Sequence, residues 1–125
     1  MKGIGFWFFV VAATAVTLGM CWGIQMAVSG DHILAPAHAH LNLVGWVTMG
    51  LFGVYYTLTP QAAALPLARV HFGVALAGVV LMVPGIVLAI REGWEGLVAA
   101  GALATLASMA IFLVTVLRHG LGQPA

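Results

Sequence analysis

Charge is what this chain has least of. Its 125 residues hold 4 Lys or Arg and 3 Asp or Glu, so charged side chains make up 6% of the sequence. A water-soluble domain carries about 25%, and a chain this poor in charge cannot clothe a solvent-facing surface. The formal net charge is +1, and Lys2, Arg69, Arg91 and Arg118 are scattered rather than clustered, which excludes nucleic acid as a partner. Cysteine is almost missing: Cys21 is alone, so neither an internal disulfide nor a thiolate metal cluster can form. A small buried hydrophobe in mid-helix is its expected role. Internal repeats, low-complexity stretches and a polar domain are also lacking. Any chemistry must therefore lie within apolar helices or at their ends.

What the chain does have is hydrophobic length. Apolar residues make up 63% of it, and the neutral runs 3–30, 33–68, 70–90 and 97–117 each exceed the roughly 18 to 20 residues that cross a bilayer core. Pro60 and Pro66 trim the second run. The expectation is an all-α membrane protein in a lipid bilayer, one domain over 1–125, with transmembrane helices at about 3–28, 36–59, 69–90 and 96–118. Lys2, the apolar run and Ala13-Thr14-Ala15 imitate a secretory signal, but the run continues through Val28 where a polar mature start belongs, so an uncleaved first helix is expected. Lys2, Arg69 and Arg118 fall on one side without an acid, while Asp31, Arg91, Glu92 and Glu95 fall on the other. The positive-inside rule then places both termini in the cytoplasm of a bacterial or archaeal-type membrane. Tyr55, Tyr56, Trp22 and Trp94 suit interfacial belts, and Phe6, Trp7, Phe8 and Phe9 suit lipid or interface. Pro84 predicts a kink in the third helix. Gly19-x-x-x-Gly23, Gly45, Gly50 and Gly53 permit close helix contact and by themselves signify packing.

The stretch "APAHAHLNLVGW" opens the second helix at the outer side and places His38 two residues from His40. On an α-helix that is about 200° of rotation and 3 Å of rise. The two imidazoles point to opposite flanks and cannot readily chelate one ion together, but each can serve a separate partner. Imidazole is a common ligand of iron, copper and zinc and an axial ligand of haem. The other reading is a pair of interfacial histidines bonded to water, headgroups or loop carbonyls. Asn42, one turn on, is placed to fix an imidazole tautomer.

The segment "HAHLNLVGWVTMGLFGVYYTLTP" resembles the tenth helix of subunit I of the haem–copper oxidase superfamily, most closely its C-type oxidase and nitric-oxide-reductase branch. That helix opens with His-x-His at the outer side, continues into Gly-Trp, and ends in aromatics and Pro. The next segment, "RVHFGVALAGVVLMVPGIVLA", is similar to the eleventh helix in Arg69, His71, Phe72 and Pro84. The resemblance covers about residues 37–89. It implies that His38 is the ligand of a high-spin-type haem and His40 that of a low-spin-type haem b, each binding iron from its own flank. It also implies that Arg91 holds haem propionates; a surface pair with Glu92 or Glu95 is the alternative.

The family has twelve helices in three four-helix arcs, and this chain has one arc's worth. A homotrimer would restore the whole, with haem between copies of the second helix. The further histidines that hold the family's copper are missing, so copper is the lesser expectation and one chain cannot reduce oxygen. His32, His71 and His119 are not in positions to replace them, and His71 is expected to be structural or interfacial. Asp31-His32 is expected as a capping turn. Met20, Met26, Met49 and Met82 are expected as packing. Two functions follow: a haem-binding membrane protein acting in electron transfer or haem handling, with a respiratory redox partner, or a non-redox assembly subunit or transporter-like bundle without cofactor.

Overall fold

The computed structural model describes residues 2–125, whose secondary structure is all helix joined by short turns, with no strand. Helices α1 (Ile4–Ser29), α2 (Ala35–Leu58), α3 (Pro66–Glu92) and α4 (Gly96–His119) are each long and apolar enough to cross a membrane. A single turn, Pro60–Ala63, joins α2 to α3. The ends follow local chemistry. α1 stops at Gly30 and α3 at Gly93, both at φ 71, a left-handed conformation that only glycine adopts without strain. Each glycine N–H closes its helix, on Met26 O at 2.9 Å and Ala89 O at 3.1 Å. α3 begins at Pro66 rather than at Arg69: proline suits the first helical turn, where its missing N–H costs nothing, so the helix reaches past the charge that marked its expected start. It also runs through Pro84 without interruption.

The helices form two antiparallel pairs, each closed by small residues. Along α3 and α4, Gly85 meets Val98, Gly101 meets Met82 and Gly78 meets Thr105. A Cβ on Gly101 would lie 2.5 Å from Met82 N and 2.6 Å from its Cα, so the two backbones touch there. Along α1 and α2, Gly5 meets Gly53 and Thr57, Ala15 meets Gly45, Gly19 meets Asn42, and Gly23 meets His38. With lipid as apolar as the side chains, such close packing is what holds membrane helices together. Outside these seams apolar side chains face outward, including Leu18, Ile24 and Val28 of α1 and Leu103, Leu106, Leu113 and Leu117 of α4. α4 is the least buried of the four and packs chiefly along α3.

The core lies toward the end that carries both termini. Phe8, Phe52, Tyr55 and Tyr56 meet there around His71. Expectations fail at this end for two reasons: Phe8 and Tyr56 pack into the cluster around His71, and the tail after α4 folds over the end of α2 beside Tyr55. Tyr55 and Tyr56 are buried rather than interfacial. Tyr55 Oη donates to Gly120 O at 2.8 Å, Gln61 Nε2 donates to Gly122 O at 2.7 Å, and Gly122 N donates to Thr59 Oγ1 at 2.9 Å. Phe8 is fully buried, while Phe6, Trp7 and Phe9 face outward as expected. Cys21 is exposed, on the outer face of α1 rather than in its seam.

Candidate functional site

Midway along α2 the helix changes type. Leu41–Thr48 forms a π-helix between the α-helical segments Ala35–His40 and Met49–Leu58. Each hydrogen-bonded ring there closes over one more residue, a form that is rare and often sits beside functional groups. Its effect is visible in burial. Leu41, Gly45 and Met49 stay buried at steps of four, and Leu43, Val47 and Leu51 stay exposed at the same step. The side chain of Thr48 reinforces the stretch by donating to Leu43 O at 2.8 Å. The histidines stand in the last α-helical turn before this stretch.

The structure separates the two rings as their spacing requires. His38 turns into the seam with α1. Its Nε2 lies 2.9 Å from Gly19 O, so this nitrogen carries the proton and donates. Trp22 packs edge-on to the ring, with centroids 6.0 Å apart. Asn42 Nδ2 lies 3.3 Å from the same Nε2, and one nitrogen cannot both donate to the carbonyl and accept from the amide. Reversing the amide puts its oxygen on Nε2–H and resolves the conflict. Asn42 Oδ1 is otherwise buried without a partner.

Gly19 and Gly23 explain how these polar groups fit. A side chain at Gly19 would occupy the space of the Asn42 amide, and a Cβ at Gly23 would lie 3.3 Å from His38 Nε2. The Gly19-x-x-x-Gly23 pair thus serves as a seat for His38 and Asn42 rather than as a backbone contact. Around it runs an open groove of about 680 Å³, walled by Val16, Met20, Ile24, Ala27 and Trp46.

His40 is disposed the other way. It is exposed on the opposite flank of α2, and its Nδ1–H donates to Pro36 O at 2.8 Å. That bond fixes the tautomer: Nε2 carries the lone pair and faces away from the chain. A backbone carbonyl on Nδ1 with Nε2 free is the arrangement in which histidine binds metals. Leu43, Val47, Leu51 and Leu58 extend an apolar stripe down the same exposed side of α2.

Arg91 does not join either histidine. It lines a crevice of about 40 Å³ with Gln25, Asp31, Trp22, Met26 and Leu34. Asp31 and His32 form the plain turn expected of them: Asp31 Oδ1 accepts from Ile33 N at 3.0 Å, and His32 Nδ1 lies 3.3 Å from Gly30 O. Of the methionines, Met20 lines the His38 groove, while Met26, Met49 and Met82 are buried in packing. Among the described residues no group of three or more His, Cys, Asp or Glu side chains converges on a point that could hold a metal ion.

One cluster escapes sequence reasoning. His71 is 0% exposed. Its Nδ1 lies 2.9 Å from Tyr56 Oη and its Nε2 lies 3.1 Å from Ser108 Oγ. Phe8, Phe52 and Phe112 ring it at centroid distances of 5.2, 4.5 and 5.8 Å. The one signal for it is the tight turn at 60–63. Residues close to such a turn on either side meet across antiparallel helices. Tyr56 stands in the last turn of α2 and His71 in the second turn of α3.

Compared with known proteins, the chain matches no family model, no curated sequence and no solved structure. None of these comparisons links the chain to subunit I of the haem–copper oxidases.

Proposed function

We propose that this protein is a small membrane cytochrome that binds haem b between copies of itself, with a homotrimer as the assembly, and acts in electron transfer or haem handling with a respiratory redox partner. The observation that carries the reading is His40: Nδ1–H is held by Pro36 O, and Nε2 is left as a free lone pair on the outward flank of α2. On the outward flank of α2 each chain offers one such nitrogen, and a second axial ligand would come from the same helix of a neighbouring copy. The apolar stripe below His40 is the surface along which copies would meet. Closed cyclic symmetry is the usual result of such a repeated contact. Bound haem would supply one-electron chemistry, with its potential tuned by axial histidines and burial.

The fit of the two histidines differs. His40 fits as a ligand without rearrangement. His38 does not in its present state, since its Nε2–H is given to Gly19 O; it serves a second iron only if that bond opens. Arg91, at the same end as His38, would hold a propionate as a bidentate donor. Both termini lie in the cytoplasm on this reading, from the side shared by Lys2, Arg69 and Arg118, in a bacterial or archaeal-type plasma membrane.

A second reading, an interaction subunit without cofactor, draws on the same exposed stripe of α2, which could pack on another membrane protein. The visible spectrum of protein purified from haem-replete cells separates the two. Haem cytochrome should carry a sharp b-type band that His40→Ala abolishes. Colourless wild-type protein, or a variant with unchanged haem content, overturns the assignment. Native mass spectrometry in detergent tests the trimer, and a monomer or dimer as the sole species rules it out.

A further inference from the structure

A groove of about 1010 Å³ opens at the end that bears the termini, away from His38 and His40. Phe6, Phe9, Val10 and Ala13 form one wall. Their spacing puts them on one face of α1, which runs about 10 Å down the helix from Phe6 to Ala13. All four are exposed, and because α1 is long and apolar enough to cross a membrane, lipid rather than water is what meets them. Thr57 and Pro60 at the end of α2 and Ala64 after the turn form the other wall.

One charged side chain lines this groove, and it stands at the mouth. Lys2 lies there beside Gly3, where an added Cβ would have nothing within 4 Å. Lys2 Nζ is 4.5 Å from the centroid of the Phe6 ring, a cation–π distance. That contact holds the ammonium over the groove and leaves it N–H donors to spare. No acid competes for it at this end. Asp31 follows α1, and Glu92 and Glu95 stand where α3 gives way to α4, all at the opposite end. Arg69 and Arg118 add their positive charge to the side of Lys2.

We propose that this groove holds one anionic phospholipid, with its phosphate on Lys2 and an acyl chain against Phe6, Phe9, Val10 and Ala13. Charge decides the headgroup. A zwitterionic lipid carries its own cation beside the phosphate, whereas an anionic one leaves the phosphate charge for the lysine. Lysine binds phosphate as a point charge, and basic residues at a membrane surface attract anionic lipids. Below Lys2 the walls suit a hydrocarbon chain, because the polar groups there are already engaged: Thr57 Oγ1 donates to Gly53 O, and Tyr56 Oη is bonded to His71 Nδ1. The site needs neither haem nor a second copy.

The test uses full-length protein in nanodiscs of mixed phosphatidylcholine and phosphatidylglycerol with matched acyl chains, followed by native mass spectrometry of the lipid that stays bound. One phosphatidylglycerol per chain should be retained in preference to phosphatidylcholine. Lys2→Gln should cut that preference about fivefold, the weight of one basic residue near an anionic surface. Arg118→Gln removes a charge from the same end but outside the groove, and should leave the preference unchanged. Ala64→Trp fills the groove and should lower retention of both lipids. All three positions are exposed, so the fold should tolerate each change. Equal retention of the two lipids by the wild type overturns the headgroup assignment. Equal losses from Lys2→Gln and Arg118→Gln reduce the effect to a general surface attraction and overturn the site. An Ala64→Trp protein that keeps its phosphatidylglycerol overturns the groove. A lipid-free oligomer that Ala64→Trp breaks apart gives the groove to a second copy and overturns the proposal as well.

Discussion

At one end of the molecule His40 holds one ring nitrogen to its own helix and turns the other outward; at the other end His71 has both nitrogens bonded to hydroxyls from neighbouring helices. The surroundings follow the same division. The His40 flank is an exposed apolar stripe, and the His38 groove beside it is open. The His71 end is lined by aromatic rings and sealed by the tail after α4. A histidine whose hydrogen bonds are complete within the chain contributes to the fold. One with a lone pair left over is available to something outside it. The same residue type thus does two jobs, and the hydrogen-bond count separates them.

The largest expected effect breaks the comparison from beneath, at the seam that delivers Ser108 to His71. Gly101→Val forces side-chain atoms into the backbone at Met82, where even a Cβ would sit 2.5 Å away. Overpacking of this kind costs about 3 kcal/mol. A clear fall in thermal midpoint in detergent is expected. At Gly73 an added Cβ would have nothing within 4 Å, so Gly73→Ala should leave the midpoint unchanged or raise it. Equal losses from both would show that the glycine seam is not what holds α3 to α4.

Next comes the closed histidine itself. His71→Ala removes a fully buried ring and leaves the Tyr56 and Ser108 hydroxyls without a partner. The lost packing and unpaired groups together cost about 2–3 kcal/mol. Unfolding in detergent measures it, and a loss below about 0.5 kcal/mol, the range of an ordinary surface change, would sink the view that this end is the structural core.

Legibility in the sequence differs between the two ends. Membrane crossing is legible because charge interrupts the apolar runs near Asp31, Arg69 and Arg91. The divergence of His38 and His40 is legible because helical geometry fixes it. Pro66 carries a boundary signal that the nearby Arg69 obscures. Gly19 and Gly23 are visible as a motif, but their use is not, since the motif does not reveal that the facing residues are His38 and Asn42. The π-helix has no marker beyond the step of four shared by Leu41, Gly45 and Met49. Tyr55 and Tyr56 have the pattern of interfacial aromatics; Phe112 and the tail at Gly120 enclose Tyr55, and Phe8 and His71 enclose Tyr56, none of which one helix alone reveals. Contacts that depend on where two helices cross are set by packing, and one helix's composition does not encode them.

A smaller effect is expected where that tail is pinned. Tyr55→Phe removes the hydroxyl that donates to Gly120 O at 2.8 Å. Side-chain hydrogen bonds within membrane proteins average about 0.6 kcal/mol and reach about 1.7, so the fold should survive with a modest loss. The tail should come free more often, and limited proteolysis near Gly120–Gly122 should speed up while the helices stay intact. Unchanged cleavage would mean that the Gln61 and Thr59 contacts hold the tail without Tyr55.

The smallest effect on stability sharpens the comparison most. His40 is exposed, and its one bond within the chain is to a carbonyl of its own helix. His40→Ala in the haem-free protein should change unfolding free energy by no more than about 0.5 kcal/mol, as surface substitutions do. His38→Ala should cost more, about 1 kcal/mol, because it abandons Gly19 O across the α1–α2 seam and leaves Asn42 without its neighbour. Haem-free protein is required for both, since a ligand bound only by the folded state adds its own stabilisation. The ordering of the two losses carries the test. If His40→Ala destabilises the haem-free chain as much as His38→Ala does, then His40 is part of the fold and its outward nitrogen is incidental. If it leaves stability untouched yet removes haem, the lone pair on that flank is kept for a partner outside the chain.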